Sequence, residues 1–306
     1  MRRSIAKRAL GLANPLLQKG IGVLLPRSCF QAVVECQRGF GPYCTLSFDC
    51  DFPRDIAVLS DLIALLERFK IVASFACIGR WIREFPDIHR HLVACGHELI
   101  NHTDTHPNLY HPGYDYARED GLSRQRFNAI SPAQRQREIE QCHETCVEQL
   151  DCIPTVFRTP HFGVLHVDDV YAMLRDLGYR YSSSVVAAAS SSGGIPYKTS
   201  EGIWEFPVSP CPDHPFGVFD TWHSLGKERA AHCGEGKLSH LFAILCKQVS
   251  EQGGYANVYF DPKEALESGE LERILEVLVA ESLPVVTYQE LGEKLEDEAA
   301  VISLAV

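Results

Sequence analysis

Three short clusters carry residue types that hydrolytic chemistry uses. Ser47-Phe48-Asp49-Cys50-Asp51 offers two carboxylates two apart. Asn101-His102-Thr103-Asp104-Thr105-His106-Pro107 offers two imidazoles four apart. Phe157-Arg158-Thr159-Pro160-His161-Phe162-Gly163 offers a guanidinium. Carboxylates two apart point the same way on a strand, or flank the turn leaving it. Two imidazoles four apart, just after a strand, can face one point. With one carboxylate they form a metal-binding set that leaves positions open for water and substrate. The second carboxylate then stands ready as a base toward that water. Each cluster also has a plain reading. H-x-x-x-H arises by chance among 13 histidines, D-x-D is commonly a solvated turn, and a lone arginine commonly serves a structural ion pair. All three falling at strand ends on one face is stronger evidence for a metal site than any one of them alone.

The elements that must position them read as strand then helix, repeated. Apolar runs at 43–48, 71–78, 98–100, 155–157, 179–182, 203–208, 256–260 and 284–287 predict strands. Helical periodicity predicts helices at 56–69, 81–94, 132–150, 167–177, 238–249 and 263–280. Ser131 precedes Pro132 as N-cap and first helical residue. Short apolar strands alternating with amphipathic helices imply parallel βαβ units. Seven or eight of them predict an α/β fold closed, or nearly closed, as a (β/α)7-8 barrel, with an open doubly wound sheet as the alternative. No G-x-G-x-x-G follows the first strand, so a dinucleotide fold has no support. Long connections at 107–131, 183–202 and 209–236 would build the site at the barrel rim.

The chain of 306 residues has a net charge of −11, which argues against a nucleic-acid binder. Its first 34 residues nevertheless hold six bases and no acid. That segment reads as a basic N-terminal arm (1–40), either packed on its own domain or amphipathic and lying on an anionic membrane surface. Residues 41–295 would form the barrel and 296–306 a tail. Twelve cysteines, several in apolar runs and none in C-x-x-C, read as reduced core residues of a cytoplasmic protein.

With these motifs in this order, the chain resembles the polysaccharide deacetylase family, the NodB homology domain or carbohydrate esterase family 4 type, over residues 42–292. The resemblance implies a distorted barrel of that type. It also implies a metal-dependent carbohydrate deacetylase, a hydrolase of non-peptide C–N bonds that removes acetyl from an N-acetylated or O-acetylated sugar. The family's T-F-D-D-G corresponds to Ser47–Asp51, making Asp49 the general base and Asp51 a metal ligand. H-[ST]-x-x-H is matched by His102 and His106 as the further ligands. R-x-P-x-G is matched by Arg158 and Pro160, with one extra residue before Gly163. Arg158 would orient Asp49, and the backbone N–H of His161 would hold the oxyanion. The cofactor would be a divalent metal, zinc first, with iron, cobalt or nickel also suited to the set. The partner would be an acetylated sugar or lipid-linked glycan precursor, with peripheral membrane contact through residues 1–34.

Two positions depart from the family. Where a fourth motif offers an aspartate, this chain has Ser182, Ser183 and Ser184. Where a fifth offers a histidine as general acid, it has Asp261. The proton donor is then His223, Asp261 or His214. Tyr110, Tyr114, Trp204, Phe219 and Trp222 are aromatics that could stack on sugar or pack in the core. Two other readings share the barrel: a deformylase or cyclic-amide hydrolase, and a catalytically silent glycan-binding protein.

Overall fold

The computed structural model describes residues 15–107, 125–190, 192–221, 224–225 and 234–304. Its centre is β1 (Tyr43–Cys50), where odd and even residues divide the labour. Cys44, Leu46, Phe48 and Cys50 join the large outer core against the helices. Thr45, Ser47 and Asp49 face the other way, into the barrel, as the two-residue period of a strand requires. β8 (Tyr255–Phe260) repeats the pattern. Ala256, Val258 and Phe260 enter the outer core, while Tyr255 and Asn257 hydrogen-bond inside the barrel to Thr45 and Ser183.

The other strands are β2 (Ser74–Cys77), β3 (Glu98–Asn101), β4 (Val156–Phe157), β5 (Tyr181–Ser182), β6 (Tyr197–Lys198) and β7 (Trp204–Glu205). They form one sheet in the order β6-β7-β5-β4-β3-β2-β1-β8. All pairings are parallel except β6 with β7. The sheet curls until the chain beyond β7 meets β8. There Ser209 N–H donates to the Asn257 carbonyl at 2.8 Å, and Asn257 N–H donates to Ser209 Oγ at 2.9 Å. A side-chain-assisted seam, in place of a strand ladder, makes this a distorted barrel.

Helices wrap it: α1 (Pro15–Leu24), α2 (Pro26–Cys36), α3 (Pro53–Ile56), α4 (Leu59–Phe69), α5 (Gly79–Glu84), α6 (Pro86–Ala94), α7 (Pro132–Leu150), α8 (Asp169–Asp176), α9 (Lys237–Gln252), α10 (Pro262–Glu267), α11 (Glu270–Ala280) and α12 (Tyr288–Leu304). The helix expected over 81–94 breaks at Pro86, which lacks the N–H an interior position needs. The helix expected over 263–280 breaks at Gly269, whose φ of 70° is left-handed. The last expected strand, 284–287, is a single parallel bridge of Val285 to Cys44. Thr287 and Glu290 then exchange bonds as a capping box and start α12 instead.

α2 packs Phe30 and Val34 into the main core. Residue 295 lies within α12, where the following Glu296 pairs with Arg180 and Lys198. The eleven described cysteines are free, eight of them buried. Among the described residues, no helix is long and apolar enough to cross a membrane.

Candidate active site

The barrel interior is layered. Low down, Ala76, Ile100, Val156, Tyr181, Phe206 and Tyr255 form an apolar plug. Above it lies a hydrogen-bonded layer built on Arg158, whose side chain is completely buried. Arg158 follows β4 and spends its donors inward. Nη1 pairs with Asp49 Oδ1. Nη2 reaches Ser47 Oγ at 2.9 Å, Ser183 Oγ at 3.2 Å and Tyr288 OH at 2.6 Å, and Nε reaches the Ser183 carbonyl at 3.2 Å. Such saturation lets a guanidinium stay charged without water. It also holds one Asp49 oxygen and so sets that carboxylate's orientation. Burial raises the Asp49 carboxyl's pKa, and the attraction of Arg158 and His102 reduces the rise without cancelling it.

Ionisable groups cap the layer. Thr103 and His106 adopt left-handed φ values of 68° and 50°, so the segment after β3 is a tight turn and not a helix. That turn brings both imidazoles onto Asp51. His102 Nε2 and His106 Nε2 each lie 3.3 Å from Asp51 Oδ1. His102 Nδ1 donates to the Arg158 carbonyl at 2.9 Å, which fixes the ring and turns Nε2 toward Asp51. Burial pushes the Asp51 carboxyl up, but His106 and His102 more than offset it and hold it below the usual carboxylate range. Burial takes His106 down to about 3, keeping it neutral.

The fit to a divalent cation is testable on these atoms. Asp51 Oδ1, His102 Nε2 and His106 Nε2 are buried and have no hydrogen-bond partner. Buried polar atoms are ordinarily paired, and these are an anionic oxygen and imidazole nitrogens aimed at one another. The donor set suits a transition-metal dication.

The remaining expected residues fall as follows. Ser47 pairs with Tyr259 and Phe48 with Phe260, so Asp49 and Asp261 leave neighbouring strand ends. Asp261 is buried, accepts from Thr221 Oγ1 at 2.7 Å, and donates its N–H back to that oxygen at 2.6 Å. Burial, then Asp55, Asp51, Glu264 and Asp220, push its carboxyl well above the usual range. His214 is exposed and lines a cavity of about 310 Å³ against Gly22 and Val23 of α1. Phe219 is a core residue against Phe242 and Phe260. Trp204 is half-buried, with Lys198 over its ring. His223, Tyr110, Tyr114 and Trp222 lie outside the described residues.

Several supporting residues escape motif reading. Glu138 of α7 accepts from Asp104 N–H, Thr105 N–H and Thr105 Oγ1 at 2.7–3.1 Å, which clamps the histidine turn. Ser183 and Ser184 are partners of the third cluster: the Ser183 carbonyl accepts from Arg158 Nε, and Ser184 Oγ takes Thr159 N–H at 2.9 Å. Glu205 in turn receives the Ser184 and Val185 N–H groups. The imidazole of His161 also turns inward. One donor atom each from Asp51, His106 and His161 all lie within 4.8 Å of one another. The one hint in the sequence is the extra residue between Pro160 and Gly163.

Comparison with known proteins adds the following. The family model for polysaccharide deacetylase matches residues 41–182; it ends before Asp261. A chitooligosaccharide deacetylase of Bradyrhizobium sp. (strain ANU 289) is 39% identical over 64 residues, 21% of this chain and 28% of that protein. The match thus spans less than a third of the curated relative's length. In fold, the chain is similar to a candidate polysaccharide deacetylase from Mycobacterium smegmatis, with TM-score 0.66 and 16% identity over 84% of this chain and 91% of that one. It is also similar to a CE4 family pseudoenzyme from Bacillus anthracis, with TM-score 0.52 and 14% identity over 82% and 66%.

Proposed function

We propose, from the premise that this chain belongs to the polysaccharide deacetylase family through residues 41–182, that it removes an acetyl group from an N-acetylated sugar or glycan precursor. The observation that carries the reading is the buried Arg158–Asp49 pair set beside the unpartnered Asp51, His102 and His106 atoms. Asp51, His102 and His106 would hold a divalent cation, zinc first among zinc, iron, cobalt and nickel. That cation supplies Lewis-acid polarisation of the carbonyl and a more acidic water.

The protein's own groups do the rest. Asp49, aimed by Arg158, takes a proton from the attacking water. The His161 N–H faces the developing oxyanion, where one such donor is commonly worth about 3 kcal/mol. Asp261 delivers a proton to the departing nitrogen. Burial and four neighbouring acids push its carboxyl well above the usual range, the direction a general acid requires, and Thr221 orients it.

The test is acetate release by metal-reconstituted protein from N- and O-acetylated sugars, beside Asp49→Asn and His102→Ala. Release abolished by both supports the reading. Formate release instead would favour the deformylase alternative. Release from esters alone in Asp261→Asn, with amide cleavage lost, would support Asp261 as the acid.

The same protein would touch an anionic membrane surface through α1, which fits a lipid-linked substrate. Leu16, Val23 and Leu24 are each about four-fifths exposed there, within a segment of six bases and no acid. Sedimentation with vesicles should show binding that needs anionic lipid and weakens in a Val23→Ser, Leu24→Ser variant. Equal binding to zwitterionic vesicles, or none at all, would end this part.

A further inference from the structure

The sequence motifs supply three groups to the metal, but a fourth imidazole stands within reach of the same point. His161 Nδ1 or Nε2 lies within 4.8 Å of both Asp51 and His106 donor atoms, and a side-chain adjustment of about half an ångström or less brings such a span within the roughly 4.2 Å that one ion at about 2.1 Å from each donor can bridge. The rings of His106 and His161 are 5.1 Å apart and those of His102 and His106 4.9 Å, so the His106 ring neighbours both. The backbone is bent to achieve this. His161 has φ 50°, a left-handed conformation that non-glycine residues adopt only when the surroundings hold them there. It follows Pro160, in the loop that carries one residue more than R-x-P-x-G. Phe162 N–H closes that loop on the Thr159 carbonyl at 2.9 Å, and Gly163 N–H anchors it to the Ser184 carbonyl at 2.8 Å.

We propose that the His161 side chain is itself a ligand of the ion, joining Asp51, His102 and His106 in a three-imidazole, one-carboxylate set. This rests on the metal-site reading above and extends it. Four protein ligands would close a tetrahedral site to water. A hydrolytic centre of this composition therefore has to accept a fifth or sixth ligand, which Fe²⁺, Co²⁺ and Ni²⁺ do more readily than Zn²⁺. His161 is half-buried whereas His102 and His106 are fully buried, so it is the ligand at the mouth, on the side where substrate would arrive.

The test compares metal binding by the full chain, wild type against His161→Ala, His161→Gln and His106→Ala. Co²⁺ and Zn²⁺ affinities are measured by chelator competition, and the visible absorption of the Co²⁺ form reports ligand number. Alanine keeps the backbone N–H, so a purely oxyanion-binding role for His161 would leave both readouts unmoved. Loss of even an outer-shell partner commonly costs 10–100-fold in affinity. His161→Ala should therefore weaken binding by about tenfold or more and shift the Co²⁺ spectrum, with His161→Gln lying between it and wild type. Unchanged affinity and spectrum in both His161 variants, with His106→Ala defective, would overturn the proposal and leave the metal site standing. No metal uptake by wild type would overturn both.

Discussion

Arg158 is the residue on which the interior depends most. It carries a full charge in a completely buried position, and Asp49 is its single carboxylate partner among the contacts that surround it. Removing one partner of a buried ion pair leaves the other charge uncompensated. Arg158→Met is expected to destabilise the fold by about 3–5 kcal/mol, measured by urea unfolding. Activity should fall further than stability explains, because Asp49 loses its orientation. Arg158→Lys should retain much of the stability but not the geometry, since one ammonium cannot replace a planar fork of donors. If Arg158→Met unfolds at the wild-type urea concentration, the pair contributes no net stability and the layered interior does not depend on it.

α12 shows how an element outside the motifs governs the site. It presses on the barrel floor so closely that a Cβ at Gly292 would meet Tyr181 Cε1 at 2.0 Å. Its first residue, Tyr288, supplies the hydroxyl that Arg158 Nη2 bonds. Gly292→Ala should cost about 1–3 kcal/mol by overpacking. It should also lower activity by moving Tyr288, and a thermal melt beside an activity assay separates the two effects.

The same helix start rests on Glu98 of β3, which accepts from Tyr288 N–H, Gln289 N–H and Ser74 Oγ. Burial outweighs these donors and lifts Glu98 to about 7 from 4.5. The folded state therefore keeps a proton that the unfolded chain releases between those values. Its favourable contribution is complete below 4.5 and is lost as pH rises through about 7. Unfolding free energies at pH 5 and pH 8 should differ less in Glu98→Gln than in wild type; an identical pH slope would contradict this.

Over the whole molecule, the N-terminal region divides at Leu25. α1 is exposed on Leu16, Val23 and Leu24, whereas α2 buries Cys29, Phe30, Ala32, Val33 and Val34. Deleting residues 1–25 removes Ile21 and Leu25 from the small cluster on Cys29, Ala32 and Phe216 but leaves the main core whole, and should lower the melting temperature only modestly. Deleting 1–36 removes Phe30 and Val34 from the main core, at about 1.5–3 kcal/mol for each large side chain, and should give a protein that melts early or aggregates. If the two truncations behave alike in a thermal melt, α2 is not part of the core. A membrane test should for this reason use the shorter deletion, since the longer one confounds binding with folding.

That Asp49 and Asp51, two apart, can point the same way was legible in the chain, because a strand's two-residue period is a local property; the alternation of Thr45, Ser47 and Asp49 with Leu46, Phe48 and Cys50 was hidden in what reads as an apolar run. So was the expectation of His102 and His106 at a strand end near Asp51, and of Arg158 at another. Local spacing records what each segment offers. It does not record which distant atoms arrive opposite. Asp49 meets Arg158 across 109 positions, and Asn257 meets Ser183 across 74. Those meetings follow from strand order and register, which the packing of the closed barrel decides. The inward turn of His161 depends on a left-handed backbone held by loop contacts, and the place of Asp261 beside Asp49 depends on how β8 registers against β1. The local segments therefore named candidate groups, and folding determined which of them share one point and which neighbours tune them.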